Sequence, residues 1–207
     1  MFEIKNKNFV SLLGNKLIKK QSLKIFDFLV MKFLIELSSK IFKDPEFKKF
    51  PDIISYAFWI REGNLSSIKK NYNIKNNLYI GRGLVFHVVP SNVPTNFIYS
   101  LTFGLLSGNS NIIKLPEKNF IQKDLILSLI KKILKKRNFK NLRESMMILK
   151  YNKKLHEITK FISLNSDARI VWGGDKTVSE IKMFPTKPTA IDINFPDKYS
   201  LCIINTN

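Results

Sequence analysis

From Leu78 onward the sequence alternates short apolar runs, rich in β-branched residues, with stretches of helical period. Leu84-Val85-Phe86-His87-Val88-Val89 is the first such run, and its unbroken apolar character suits a strand covered on both faces. Thr95 to Ser107 reads as a helix closed by Gly108-Asn109, and Asn111 to Leu115 as a second strand stopped by Pro116. Gln122 to Arg137 places Leu125, Leu129, Ile130, Ile133 and Leu134 at helical spacing, with Asp124 early and lysines late, which suits the helix dipole. Met146 to Lys150 predicts a third strand, Lys154 to Leu164 a helix and Ala168 to Trp172 a fourth strand. A short helix from Lys176 comes next, then strands over Ala190 to Phe195 and Tyr199 to Ile204. This alternation predicts an α/β fold: a mainly parallel sheet, doubly wound, with helices on both faces.

Residues 1–76 have a different texture and read as a helical N-terminal region. Leu23 to Phe42 is apolar on a broad face with charges on the other. Asp44-Pro45 and Pro51-Asp52 punctuate the next stretch, and Pro51 suits the first turn of a helix running towards Arg61. Gly63-Asn64 is expected to end that helix, with one more short turn over Ser66 to Lys70. The region offers no titratable pair or metal-ligand cluster and is expected to cover and support residues 77–207.

Composition decides several broader questions. Hydrophobic residues at 44% and aromatics at 12% supply a real core. Thirty-five basic against sixteen acidic side chains give a net charge of +19, which suits either an anionic partner or a genome rich in lysine, asparagine, isoleucine and phenylalanine. The lysines are scattered through every segment without a stripe of interleaved aromatics, so nucleic acid is not the expected partner. The single cysteine, Cys202, excludes an internal disulfide or a multi-cysteine metal site and fits a reducing compartment. The opening MFEIKNKNFV lacks the apolar stretch of a signal peptide. Ile25 to Phe42 is broken by Asp27, Lys32, Glu36 and Lys40, short of the about 20 apolar residues a membrane span needs. A soluble, cytoplasmic protein with no membrane span is the expectation.

Ligands of such sheets bind beyond the carboxyl ends of the strands, and three connections there stand out. In Pro90-Ser91-Asn92-Val93-Pro94 two prolines fix the backbone around Asn92. Its amide either caps the next helix or donates to an oxyanion on a carbonyl or thioester carbon. In Gly108 to Glu117, Lys114 closes an apolar strand, and is either one more surface lysine or a point charge for a ribose hydroxyl or 2′-phosphate. In Trp172-Gly173-Gly174-Asp175-Lys176-Thr177 a strand runs into a helix through paired glycines. That turn is either a tight connection capped by Asp175 or a pyrophosphate site at a helix N-terminus. Gly81-Arg82-Gly83 precedes a strand and so is not a dinucleotide fingerprint, and Gly104 to Gly108 lacks the lysine of a P-loop. His87 reads as a satisfied core histidine and His156 as a helix-surface one.

Two long stretches, GRGLVFHVVPSNVPTNFIYSLTFGLLSGNSNIIKLPEKN (81–119) and ARIVWGGDKTVSEIKMFPTKPTAIDINFPDKYSLCIIN (168–205), resemble the fatty acyl-CoA reductases of bacterial bioluminescence, the LuxC type, in the same order. That family lies within the aldehyde dehydrogenase superfamily. The resemblance implies a Rossmann-type cofactor domain, here over 77–207, and reduction of a fatty acyl-CoA or acyl-protein thioester to an aldehyde with NADP(H). It implies that Asn92 supplies the oxyanion donor and that Lys114 contacts the adenosine ribose or its phosphate. It places Gly173, Gly174, Asp175 and Lys176 at the pyrophosphate, with Asp175 standing where the superfamily usually has serine. The family's reaction passes through a thioester on a cysteine that lies beyond Asn207. Cys202, in an apolar strand without a basic neighbour, is expected to be buried packing. The chain thus reads as the cofactor-binding half of such a reductase, from a split or truncated gene, completed by a second polypeptide or left as a remnant. A non-catalytic basic binding protein is the alternative.

Overall fold

The computed structural model describes residues 2–4, 8–72, 77–198 and 201–204. The chain begins with three short strands, β1 (Phe2–Glu3), β2 (Val10–Leu13) and β3 (Leu17–Ile18), followed by helices α1 (Phe28–Lys43), α2 (Pro51–Trp59) and α3 (Glu62–Asn71). Strands and helices then alternate: β4 (Leu84–Val88), α4 (Asn96–Leu106), β5 (Ser110–Leu115), α5 (Ile121–Leu134), α6 (Lys140–Glu144), β6 (Met146–Lys150) and α7 (His156–Asn165). β7 (Ala168–Trp172), α8 (Asp175–Lys182) and β8 (Ile191–Phe195) complete the alternation.

A six-stranded sheet in the order β2-β6-β5-β4-β7-β8 organises the molecule, and β4 to β8 run parallel within it. After β4 the chain steps outward to β5 and β6, then crosses back to add β7 and β8 on the other side. Such a reversal opens a crevice at the carboxyl ends of the two strands that flank it, here β4 and β7. Register brings the three singled-out connections to one level, because Val88 pairs with both Lys114 and Val171. Every residue of β4 is buried, which is why its sequence shows no alternation.

The helices obey ordinary local chemistry. Asp27 caps α1 by accepting the Leu29 and Val30 N–H groups at 2.9 and 3.4 Å, and Lys40 and Lys43 close its last turn. Val30, Phe33, Leu34, Leu37 and Ile41 form its buried stripe, each contributing about 1.5–3 kcal/mol of burial. They join α2, α4 and α5 in one core on one side of the sheet, while a second core lies on the other. The buried Tyr56 hydroxyl of α2 donates to Thr102 Oγ1 of α4 at 2.8 Å, since that threonine hydroxyl itself donates to the Ile98 carbonyl.

Between β4, β5, β7 and α4 runs a buried chain of hydrogen bonds. The Asn111 amide donates to the Asn109 carbonyl at 2.7 Å, so its Oδ1 is left to accept from His87 Nε2 at 2.9 Å. His87 Nδ1 then accepts from the Ser100 hydroxyl at 2.8 Å, and Ser100 Oγ accepts the Trp172 indole N–H at 3.0 Å. Burial lowers the His87 pKa to about 4, which keeps the ring neutral. Gly104 leaves room for this arrangement: a Cβ there would stand 1.9 Å from Asn111 Oδ1. His87 is thus the satisfied core histidine the sequence predicts.

Several expectations need correction. Residues 1–76 are not wholly helical: β1 pairs with β3, and β2 adds an antiparallel edge to the main sheet through β6. That pairing spans more than a hundred residues and leaves no local signal. Gly63 and Asn64 do not end a helix but sit in the first turn of α3, because the break falls earlier, at Ile60 and Arg61. Tyr199 and Ser200 lie outside the described residues. Residues 201–204 form no strand, and Cys202 is exposed rather than buried packing. Among the described residues no helix is long and apolar enough to cross a membrane.

Candidate functional site

The crevice at the carboxyl ends of β4 and β7 is an open cleft of about 1170 Å³. The loop after β4 supplies Pro90, Asn92 and Val93, the end of β5 supplies Lys114, and the turn after β7 supplies Gly173 and Gly174. The three sequence-predicted connections therefore meet at one rim.

Asn92 is exposed on this wall and does not cap α4, whose N-cap is Thr95 without a side-chain hydrogen bond. The capping alternative therefore falls, and the Asn92 amide stands free of any hydrogen bond among the described residues. Asn96, one turn along the same wall, has a buried Oδ1 with no partner among the described residues.

Lys114 is half-buried, with its ammonium 5.0 Å from the centre of the Tyr151 ring. Burial pulls its pKa below the ordinary lysine value; Glu117 opposes that pull and Lys153 adds to it.

The α8 turn is the most constrained part. Gly174 is the N-cap of α8, and the Asp175 N–H donates to the carboxylate of Asp197 at 3.2 Å. A Cβ on Gly174 would lie 2.8 Å from that same Asp197 oxygen. The helix N-terminus thus already holds an anionic oxygen, and glycine is what allows the close approach. Asp175 and Lys176 belong to the first turn of α8, and neither side chain lines the cleft. Trp172 forms part of the floor, stacked on Phe195 with ring centres 3.7 Å apart and planes 7° from parallel.

The structure adds residues that the sequence pattern does not single out. Lys153, Lys154 and His156 enter from the loop after β6 and the start of α7, and Phe195 and Asp197 from the end of β8. A signal for them exists, since the carboxyl-end rule applies to every parallel strand and not only to those followed by proline or glycine. Among the described residues no group of three or more histidine, cysteine, aspartate or glutamate side chains could hold a metal ion.

Comparison with known proteins bears on the fold and the family. A putative aldehyde dehydrogenase from Burkholderia cenocepacia is similar with a TM-score of 0.57 and 14% identity, over 80% of this chain and 38% of that one. Indole-3-acetaldehyde dehydrogenase in its apo form is similar with a TM-score of 0.56 and 16% identity, over 79% of this chain and 42% of that one. These likenesses establish the fold, and the chain spans well under half the length of either protein. No curated protein matches the chain. The sequence profile described as Acyl-CoA reductase (LuxC) matches residues 62–207. The chain belongs to the LuxC acyl-CoA reductase family.

Proposed function

We propose that residues 77–207 form the cofactor-binding part of an NADPH-dependent acyl-CoA reductase, supported by residues 1–76. The whole enzyme would convert a fatty acyl thioester to an aldehyde through a thioester on a cysteine outside this chain. The observation that carries this reading is the convergence of Asn92, Lys114 and the Gly173-Gly174 turn on one cleft at the sheet's reversal, in a chain of this family.

The donor set fits a dinucleotide phosphate. The Asp175 N–H at the start of α8 already holds the Asp197 carboxylate, close beside Gly174, so that this helix end accepts an anionic oxygen that a pyrophosphate would have to displace. When bound, the nicotinamide supplies the hydride. The chain's own residues would bind and orient: Gly173 and Gly174 with the backbone N–H groups of Asp175 and Lys176 would hold the pyrophosphate, and Lys114 the adenosine ribose. Asn92, neutral and unengaged, donates its amide to the oxygen that gains charge as the acyl carbon is attacked. Cys202 lies outside the cleft lining and has no role in this scheme.

Titration with NADPH, followed by nicotinamide fluorescence, tests the reading. Saturable binding weakened about tenfold by Lys114→Ala is expected. A folded sample that binds neither NADPH nor NADH would overturn it. Asp197→Asn should tighten NADPH binding severalfold, because a carboxylate then no longer competes with phosphate for the α8 N-terminus.

A further inference from the structure

Helix α1 is apolar on two sides. Val30, Leu34, Leu37 and Ile41 lie in the core. On the outward side Phe28, Lys32, Ile35, Ser39 and Phe42 follow at alternating spacings of four and three, which sets them in one line along the helix. Phe28 is 74% exposed and Phe42 40%, with Ile35 half-buried between them. The two phenylalanines stand about 21 Å apart along the axis, nearly the length of the helix. A helix that is apolar all round is ordinarily covered on every side. The outward line of α1 therefore calls for a cover.

The flank of that line is basic. Lys32 belongs to it, and Lys40 and Lys43 lie in the last turn of the helix. The corner after α5 adds Lys135, Lys136 and Arg137, all exposed. Two contacts hold this corner against α1: the Lys136 ammonium donates to Glu36 Oε1 at 2.7 Å, and the Phe139 ring meets Phe33 edge-on with centres 5.9 Å apart. Of the acidic side chains on α1 and at its ends, Glu36 is taken by Lys136 and Asp27 caps the helix, which leaves Asp44 and Glu46 at the far end. Among the described residues Lys32, Lys40, Lys43, Lys135 and Arg137 have no carboxylate within 4.0 Å. Glu36 and Lys136 are 100 residues apart, so no local run of sequence shows this surface.

A line of exposed rings beside free cations fits a surface that is apolar beneath and anionic above, as the headgroup layer of an acidic bilayer is. A second copy of the chain would set like charge against like. A nucleic acid would meet the lysines, but rings about 21 Å apart cannot stack successive bases. We propose that the outward face of α1, with the corner after α5, rests on a membrane surface rich in anionic phospholipids. Phe28 and Phe42 enter the headgroup boundary, and Lys32, Lys43, Lys135 and Arg137 meet lipid phosphates. The inference goes beyond the cofactor reading and is independent of what the cleft binds.

The test is co-sedimentation of the chain with vesicles of phosphatidylcholine, alone or mixed with phosphatidylglycerol. At about 0.1 M salt the mixed vesicles should bind at least about tenfold more tightly than the neutral ones. Phe28→Ser/Phe42→Ser should weaken that binding about tenfold or more, with a nearly unchanged urea midpoint because both rings are exposed. Lys32→Gln/Lys43→Gln should also weaken it about tenfold. Lys160→Gln/Lys182→Gln, exposed on α7 and α8 across the sheet, removes the same charge and should change it less than about twofold. A folded chain that ignores the mixed vesicles would overturn the inference. So would binding that survives Phe28→Ser/Phe42→Ser, or that falls as far in the α7 and α8 control. Binding of single-stranded RNA that the phenylalanine variant weakens, without vesicle binding, would overturn it in favour of a nucleic acid. NADPH titration reads the cleft separately, so this inference and the cofactor reading fail independently.

Discussion

The two sides of the crevice are held by different physical means. On the β4 side, Trp172, Ser100, His87, Asn111 and Asn109 form a neutral, directed chain of hydrogen bonds in which each buried donor meets an acceptor. On the β8 side one bidentate ion pair does much of the holding: Arg169 Nε and Nη2 donate to the two Asp192 oxygens at 2.7 and 2.6 Å. Arg169 also donates to the Ile181 and Phe184 carbonyls, which fixes the end of α8. Its side chain is 2% exposed and that of Asp192 25%. β4 is wholly buried, whereas β8 leaves Ile191 and Ile193 exposed at 39% and 41%. The continuous run of β4 is thus covered on both faces, while β8, alternating with Asp192 and Asn194, lies at the edge of the sheet. A β-branched run specifies a strand, and its neighbours decide what covers it.

The sharpest way to break this contrast is Asp192→Ala. It leaves a buried guanidinium with only two carbonyls and the Ser163 hydroxyl and should cost about 3–5 kcal/mol in urea unfolding. The β4 side predicts a pH dependence instead. Burial lowers the His87 pKa from 6.5 to about 4, so the unfolded chain takes up the proton first on acidification. The stability contributed by keeping His87 neutral is full above pH 6.5 and is lost as pH falls towards 4. The total is on the order of 3 kcal/mol, at about 1.4 kcal/mol per pH unit. Urea midpoints taken between about pH 7 and 4.5 should show this slope, and His87→Gln should flatten it. Gly104→Ala forces a methyl group onto Asn111 and should cost about 2 kcal/mol by the same assay. Ile193→Thr, on the exposed strand, should change stability by less than about 0.5 kcal/mol. A cost for Ile193→Thr as large as that for Gly104→Ala would erase the distinction.

The fold of residues 84–195 is legible in the sequence because its strands are short and largely apolar and its longer helices carry their own period. Met146–Lys150 and Ala168–Trp172 fall where the sequence places them. The illegible parts depend on distant partners. Val10 to Leu13 becomes an edge strand only because β6 offers a free side. α1 starts a few residues later than the apolar run suggests, because Asp27, which interrupts that run, is its cap. At the site, proline and glycine announce the loops after β4 and β7. Lys153 and Lys154 carry no such mark in a chain with 35 basic residues, and only the adjacency of β5 and β6 sets them apart. The Asp197 carboxylate at α8 is invisible for the same reason, since its partner lies across a strand and a turn.

The proposed function requires that a nicotinamide dinucleotide bind along the rim formed by the loops after β4, β5 and β7. Backbone amide chemical shifts of the isotopically labelled chain, recorded during titration with NADPH, locate the ligand directly. The account predicts the largest changes at Asn92, Lys114 to Lys118 and Gly173 to Lys176, saturating together with a single affinity. Saturable changes confined to the α2 and α3 surface, with those loops unmoved, would contradict it.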